Sequence, residues 1–298
     1  MQLCIFNPEH DLCLANGRAH YVPPRSAVDF ARRGASLMQV LYPGACCLSA
    51  YDNLQRLTHS IQFDRIVPWG WNLTLKCELI KQGVPVSLMP SDEMLARWRM
   101  LQHRTTVLPL QPQSCAATTI EEVLSMVSQH QSVVMKAPWS GAGRGIRWVT
   151  EHLGEQDVMW LSKVVREQRC VIVEPRRWVV AEFALEYSVD EDGLRFLGYS
   201  LFESAHGVYQ GNRLLPDDVI RQRVGITSAE RHGLEDWLCA HVSPFYQGPL
   251  GVDFILDTEG RRYLSELNLR HTMGWVAHEY LAQHPEAEGS LFNPLTVG

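Results

Sequence analysis

The sequence predicts an α+β protein that begins with a small α/β lobe built on a parallel sheet. Three observations predict it. Strand and helix signals alternate over residues 1 to about 90. Ser132 to Arg147 reads as a short strand ending in Lys136, followed by a glycine-rich turn. Gly251 to Gly274 reads as two strands joined by the turn Asp257-Thr258-Glu259-Gly260.

In chain order, Gln2 to Phe6 is an apolar strand that empties into the polar loop Asn7-Pro8-Glu9-His10-Asp11. Ligands of open α/β sheets bind outside the carboxyl ends of strands. Glu9, His10 and Asp11 are therefore substrate candidates, although capping Asx residues in a plain turn give the same pattern. Pro23-Pro24 opens a helix to about Arg33. Phe63 to Trp69 is a strand, Leu73 to Lys81 a helix stopped by Gly83, and Val84 to Leu88 a strand. The first domain is thus placed at residues 1–90 and the second at 91–298. Ser91 caps a helix to about Arg104, with Asp92 and Glu93 in its first turn. Thr119 with Glu122 and Thr227 with Glu230 are capping boxes, opening helices to about Gln129 and His241. Glu155 to Glu167 is an amphipathic helix. Cys170 to Val173 is a strand ending in Glu174-Pro175, and Ala181 to Glu186 another. The turn Asp190 to Gly193 leads into a strand through Phe202. His206 to Arg213 reads as a polar loop, with Asn212 and Arg213 as substrate candidates. A helix from Met273 to about Gln283 follows the hairpin, and the tail beyond Pro285 shows no periodicity.

The hairpin carries chemistry on one face. A short loop at its tip pairs Asp253 with Leu264, which puts Asp253 diagonal to Glu266. Glu266, Asn268 and Arg270 alternate with apolar residues and so share that face. Two carboxylates and an amide oxygen suit Mg²⁺, which binds carboxylates and substrate phosphates together. A guanidinium beside them suits a phosphate. A solvated polar face has the same pattern. In Ser140-Gly141-Ala142-Gly143-Arg144-Gly145, three glycines let backbone N–H groups approach phosphate oxygens, and Lys136 adds a charge. The Lys precedes the glycines, so this is neither a P-loop nor a dinucleotide fingerprint.

Composition excludes several classes. Apolar content is 46% and charged content 20%, with net charge −6 and no basic stripe, which argues against nucleic acid. No apolar run reaches about 18 residues, the length of a membrane span. The opening residues carry Glu9 and Asp11 in place of a basic region, so no signal peptide is expected. The eight cysteines form no C-x-x-C, which points to free thiols in a cytoplasmic protein and away from zinc.

As a set, Lys136, Ser140 to Gly145, Glu174, Asp253 and Glu266-Leu267-Asn268 resemble the ATP-grasp superfamily over roughly residues 97 to 274. The resemblance implies a core of two lobes, about residues 91–170 and 171–298, with ATP between them and Mg²⁺, or Mn²⁺, on Asp253, Glu266 and Asn268. It implies that Lys136, Ser140, Gly141, Gly143, Arg144 and Gly145 meet the phosphates. Arg104 stands where such proteins usually have the Lys of an Asp-Lys pair. Glu174 and Glu182 would meet the nucleotide, with Glu186 as the alternative to Glu182. The chemistry implied is a ligase: a small-molecule or peptide carboxylate becomes an acylphosphate, an amine or other nucleophile displaces phosphate, and Arg270 and Lys136 serve catalysis. A kinase on the same fold and a nucleotide-binding protein without turnover remain alternatives. The intact Lys136, Glu266 and Asn268 speak against the latter. An oligomer remains open.

Overall fold

The computed structural model describes residues 1–54, 62–140, 145–205 and 208–293. Gly141, Gly143 and Arg144 of the glycine turn, and His206 of the polar loop, lie outside them. Among the described residues the strands form three sheets.

The first sheet has the order β2-β1-β3, with β1 Gln2–Phe6 flanked by β2 Cys46–Ser49 and β3 Arg65–Pro68, all parallel. Leu3, Cys4, Ile5 and Phe6 are all fully buried, as expected of a central parallel strand covered on both faces. Helices α1 His10–Asn16, α2 Arg25–Arg33, α3 Leu37–Leu41 and α4 Leu73–Lys81 accompany it. Val84 to Leu88 is not a strand. Pro85 withholds a ladder donor and starts a 3₁₀ turn over Val86–Leu88.

After α5 Asp92–Leu101, a second sheet has the antiparallel order β4-β7-β5-β6. Its strands are β4 Cys115–Ala117, β5 Ser132–Lys136, β6 Ile146–Thr150 and β7 Val171–Pro175. Helices α6 Ile120–His130, opened by the Thr119–Glu122 capping box, and α7 Glu155–Gln168 pack on it through Val123, Val127, Leu161 and Val164.

The third sheet is antiparallel with the order β12-β11-β8-β9-β10-β13. It comprises β8 Val179–Asp190, β9 Gly193–Ala205, β10 Val208–Arg213, β11 Gly248–Asp257, β12 Arg262–Asn268 and β13 Leu291–Phe292. Helices α8 Asp217–Val224 and α9 Ser228–His241 cover one face around Leu185, Tyr187, Leu238 and Val252. Residues 208–213 are thus strand rather than loop. β9 and β13 hydrogen-bond β10 on its two sides, and the glycine-containing irregularity at Gly211 absorbs a register shift. The last helix, α10 Met273–Gln283, carries Val276 and Ala277 into the same buried cluster as Cys4 and Phe6. All eight cysteines are free, three of them buried.

Candidate active site

The β11–β12 hairpin pairs differently from the register drawn from the sequence. Asp253 stands directly opposite Glu266, while Phe254 stands opposite Leu264. Ser265 is therefore the extra residue of a β-bulge. The bulge brings Asp253 and Glu266 closer than a diagonal pair and turns Ser265 toward the same cleft as Glu266. The neighbouring row runs Asn268, Gly251, Glu186, Gly198 across four strands. A Cβ at Gly251 would press on Thr272 and Glu186, so glycine leaves room for both.

This face looks into a cleft of about 780 Å³ whose opposite wall is the four-stranded sheet. β5 delivers Lys136 and β7 delivers Glu174. Lys136 Nζ lies 2.8 Å from Glu174 Oε2 and 3.3 Å from Ser265 Oγ. Arg104, in the 3₁₀ segment after α5, donates from Nη1 to Ala137 O at 2.6 Å and to Ser140 Oγ at 2.8 Å. Its Nη2 donates to Glu266 Oε2. Gly145 closes the neck of the glycine turn by accepting from Ala137 N at 2.8 Å, and any Cβ there would collide with Ser140.

Electrostatic stress concentrates on the hairpin. Burial, followed by repulsion from Glu266 and Glu186, pushes Asp253 well above the usual carboxylate range, although Asn268 Nδ2 donates to its Oδ2 at 3.0 Å. Burial raises Glu182 as well. Glu186 is raised to about 7 by burial, against hydrogen bonds from Thr272 at 2.7 Å and Ser200 at 3.0 Å. Arg270 reaches across to Asp11, donating from Nε to Oδ1 at 3.1 Å and from Nη2 to Oδ2 at 2.9 Å.

The cleft thus gathers Asp11, Arg104, Lys136, Ser140, Glu174, Glu182, Glu186, Asn212, Asp253, Glu266, Asn268 and Arg270 of the residues singled out by sequence. Glu9, His10, Gly145 and Arg213 do not line it. His10 is fully buried, with Nε2 3.1 Å from Gln102 Nε2, and Glu9 is buried beside it. Arg213 turns to Glu203 Oε1 at 2.6 Å. Sequence reasoning did not single out Ser265, which only the bulge exposes, or the apolar end of the cleft. There half-exposed Trp148 of the four-stranded sheet stands opposite Val179, Val180, Phe254 and Ile255 of the six-stranded one. Apolar side chains left open on two facing sheets were the available signal.

Among the described residues no group of three or more His, Cys, Asp or Glu is placed to hold a metal. The hairpin offers two carboxylates and an amide, so further ligands must come from water or substrate oxygens.

No protein-family model matches the sequence, and no curated protein matches it. Solved structures do match. N5-carboxyaminoimidazole synthetase from Staphylococcus aureus, complexed with ADP, aligns over 98% of this chain and 78% of its own at 13% identity, with a TM-score of 0.54. D-alanyl-alanine synthetase A from Vibrio cholerae aligns over 98% and 95% at 14% identity, with a TM-score of 0.54. Biotin carboxylase from Campylobacter jejuni, in a β,γ-ATP complex, aligns over 94% and 67% at 14% identity, with a TM-score of 0.56. At such identities the likeness establishes architecture, and the architecture of this chain is the ATP-grasp fold.

Proposed function

We propose that this protein is an ATP-dependent ligase that activates a small-molecule or peptide carboxylate as an acylphosphate for attack by an amine or another nucleophile. One observation carries the reading. A single cleft joins Lys136 and Glu174 from one sheet to Asp253, Glu266, Asn268 and Arg270 from the other. Similar structures hold ADP or β,γ-ATP, which supports a nucleotide in that cleft.

The base stacks in the apolar end, between Val134, Ile146 and Trp148 on one side and Val179, Val180 and Phe254 on the other. Lys136 and Arg104 meet the phosphates, with the glycine turn beside them. Glu182 and Glu174 meet the rest of the nucleotide. Asp253, Glu266 and Asn268 fit Mg²⁺ or Mn²⁺. Their donors are hard oxygens, and a divalent cation relieves the repulsion that raises Asp253. When bound, the cation neutralises phosphate charge. The chain itself forms no covalent bond to substrate. It aligns the carboxylate with the γ-phosphate, and Arg270 stabilises the charge on the transferred group and on the later tetrahedral oxyanion. The enclosing walls keep water from the acylphosphate.

The test starts from a metabolite screen for carboxylates that trigger ATP cleavage. Hydroxylamine should trap the activated acid as a hydroxamate, and ¹⁸O from the acid should appear in phosphate. A stable phosphomonoester without label transfer would identify a kinase instead.

A further inference from the structure

Three consecutive residues beyond β12 fasten three separate elements. Arg270 grips Asp11 on α1. His271 grips the end of β3: its backbone N donates to Trp69 O at 2.8 Å, and Nδ1 lies 3.1 Å from Pro68 O. Burial lowers His271 to about 4, so the ring is neutral. Carbonyls surround Nδ1, which therefore carries the proton, and Nε2 accepts from the Tyr42 hydroxyl at 2.8 Å. Thr272 donates to Glu186 on β8. Just before them, Leu269 N donates to Gln102 Oε1 at 3.1 Å. The backbone of Arg270 is thus held on both sides, and only the direction of its side chain is left to set.

A guanidinium has five N–H donors. Asp11 takes two, on Nε and Nη2, and His271 O takes one from Nη1 at 3.1 Å. One N–H remains on each terminal nitrogen. The edge between Nη1 and Nη2, distinct from the Nε–Nη2 edge that Asp11 occupies, suits two oxygens of a carboxylate or phosphoryl group. Burial opposes charge on both partners, yet the Arg270 charge holds Asp11 below the usual carboxylate range and Asp11 holds Arg270 above its own.

We infer that Asp11 is a positioning residue: by occupying one edge of the Arg270 guanidinium, it presents the terminal pair of N–H groups to a two-oxygen anion bound in the cleft. Asp11 does not touch the anion. It removes the rotamers in which Arg270 would point elsewhere, and so supplies preorganisation rather than contact. The role of that anion in turnover rests on the ligase reading, but the geometry of the pair does not.

Inorganic phosphate is a suitable probe, followed through the Arg270 Nε–H resonance of ¹⁵N-labelled protein. In the wild type, phosphate should shift this resonance saturably. Asp11→Asn should weaken phosphate about tenfold while leaving the affinity for Mg-ADP close to wild type. A purely structural role would lower the melting temperature and leave phosphate affinity where it was. Asp11→Glu, which keeps the charge, should recover part of the loss. Asp11→Asn combined with Arg270→Lys should bind phosphate no more weakly than Arg270→Lys alone, because both act through one contact. Equal phosphate affinity in the wild type and Asp11→Asn, additive losses, or phosphate that leaves the Arg270 resonance unmoved would overturn the inference. Calorimetry with Mg-ADP on the wild type is read separately. Absence of binding there would sink the ligase reading, and the phosphate titration would still decide the role of Asp11.

Discussion

Lys136 and Glu174 form an ion pair across neighbouring strands, with only 10% and 13% of their side chains exposed. Glu174 Oε1 has no other partner. Removing the cation alone strands an enclosed carboxylate, a change that typically costs about 3–5 kcal/mol. Lys136→Met should therefore destabilise the protein by about that much in urea denaturation. Adding Glu174→Gln should recover most of the loss, because the uncompensated charge is gone. Mg-ATP affinity should stay as low in the double variant as in the single one. Recovered nucleotide binding in the double variant would remove Lys136 from the phosphate site.

The bulge at Ser265 makes Glu266 a direct neighbour of Asp253. Glu266→Gln keeps the shape and removes a hard, charged ligand. It should weaken metal-dependent nucleotide binding by at least about tenfold, or about 1.4 kcal/mol. Glu259→Gln, in the exposed turn of the same hairpin, should change it little. Calorimetry at several Mg²⁺ concentrations measures both, and equal losses would count against the metal assignment.

Burial raises Glu9 to about 7, and its Oε2 has no partner. The sign follows from linkage. Below about pH 4.5 the carboxyl is protonated folded and unfolded alike, so it exacts no penalty. Between about 4.5 and 7 the unfolded chain ionises first, and stability falls. Glu9→Gln should match the wild type at pH 4 and exceed it above pH 7, by at most about 3 kcal/mol. Denaturation at a series of pH values measures the gap, which should open within that window and then stay constant.

Gly274 sits in the first turn of α10, where a Cβ would collide with Glu186 and Ser200. Gly274→Ala should cost about 1–3 kcal/mol through overpacking. Gly233, exposed on α9, has nothing near its missing Cβ. Gly233→Ala should gain roughly 0.5–1 kcal/mol by helix propensity. Opposite shifts in melting temperature are the expected result.

Much of this was legible in the sequence because local chemistry agreed with the fold. The capping boxes at Thr119 and Thr227 open helices where expected. The apolar run Gln2–Phe6 is the central strand of the parallel sheet. What stayed hidden depends on partners distant in sequence. Nothing in Tyr263-Leu264-Ser265-Glu266 announces a bulge, since the extra residue is defined only against Asp253 and Phe254. Val208 to Arg213 is polar enough to read as a loop, and becomes a strand because two neighbours pair with it. The strand-end rule singled out Glu9, His10 and Asp11 together. Helix α1 begins at His10, so Glu9 and His10 turn inward and only Asp11 reaches the cleft.

The shared cluster beneath the parallel sheet bears on how the chain is made. Cys4 and Phe6 are covered by Leu214, Val276, Ala277 and Phe292. A ribosome adding about 5–20 residues per second needs roughly a quarter of a minute to a minute to reach that cover. Through most of that interval β1 is outside the exit tunnel with the face of Cys4 and Phe6 covered only in part, by near neighbours such as Phe30, Leu37 and Met38. The parallel sheet therefore waits for Leu214, Val276, Ala277 and Phe292, although its own strands precede the other two sheets in the chain. The antiparallel hairpins, closed by contacts near in sequence, can settle ahead of it.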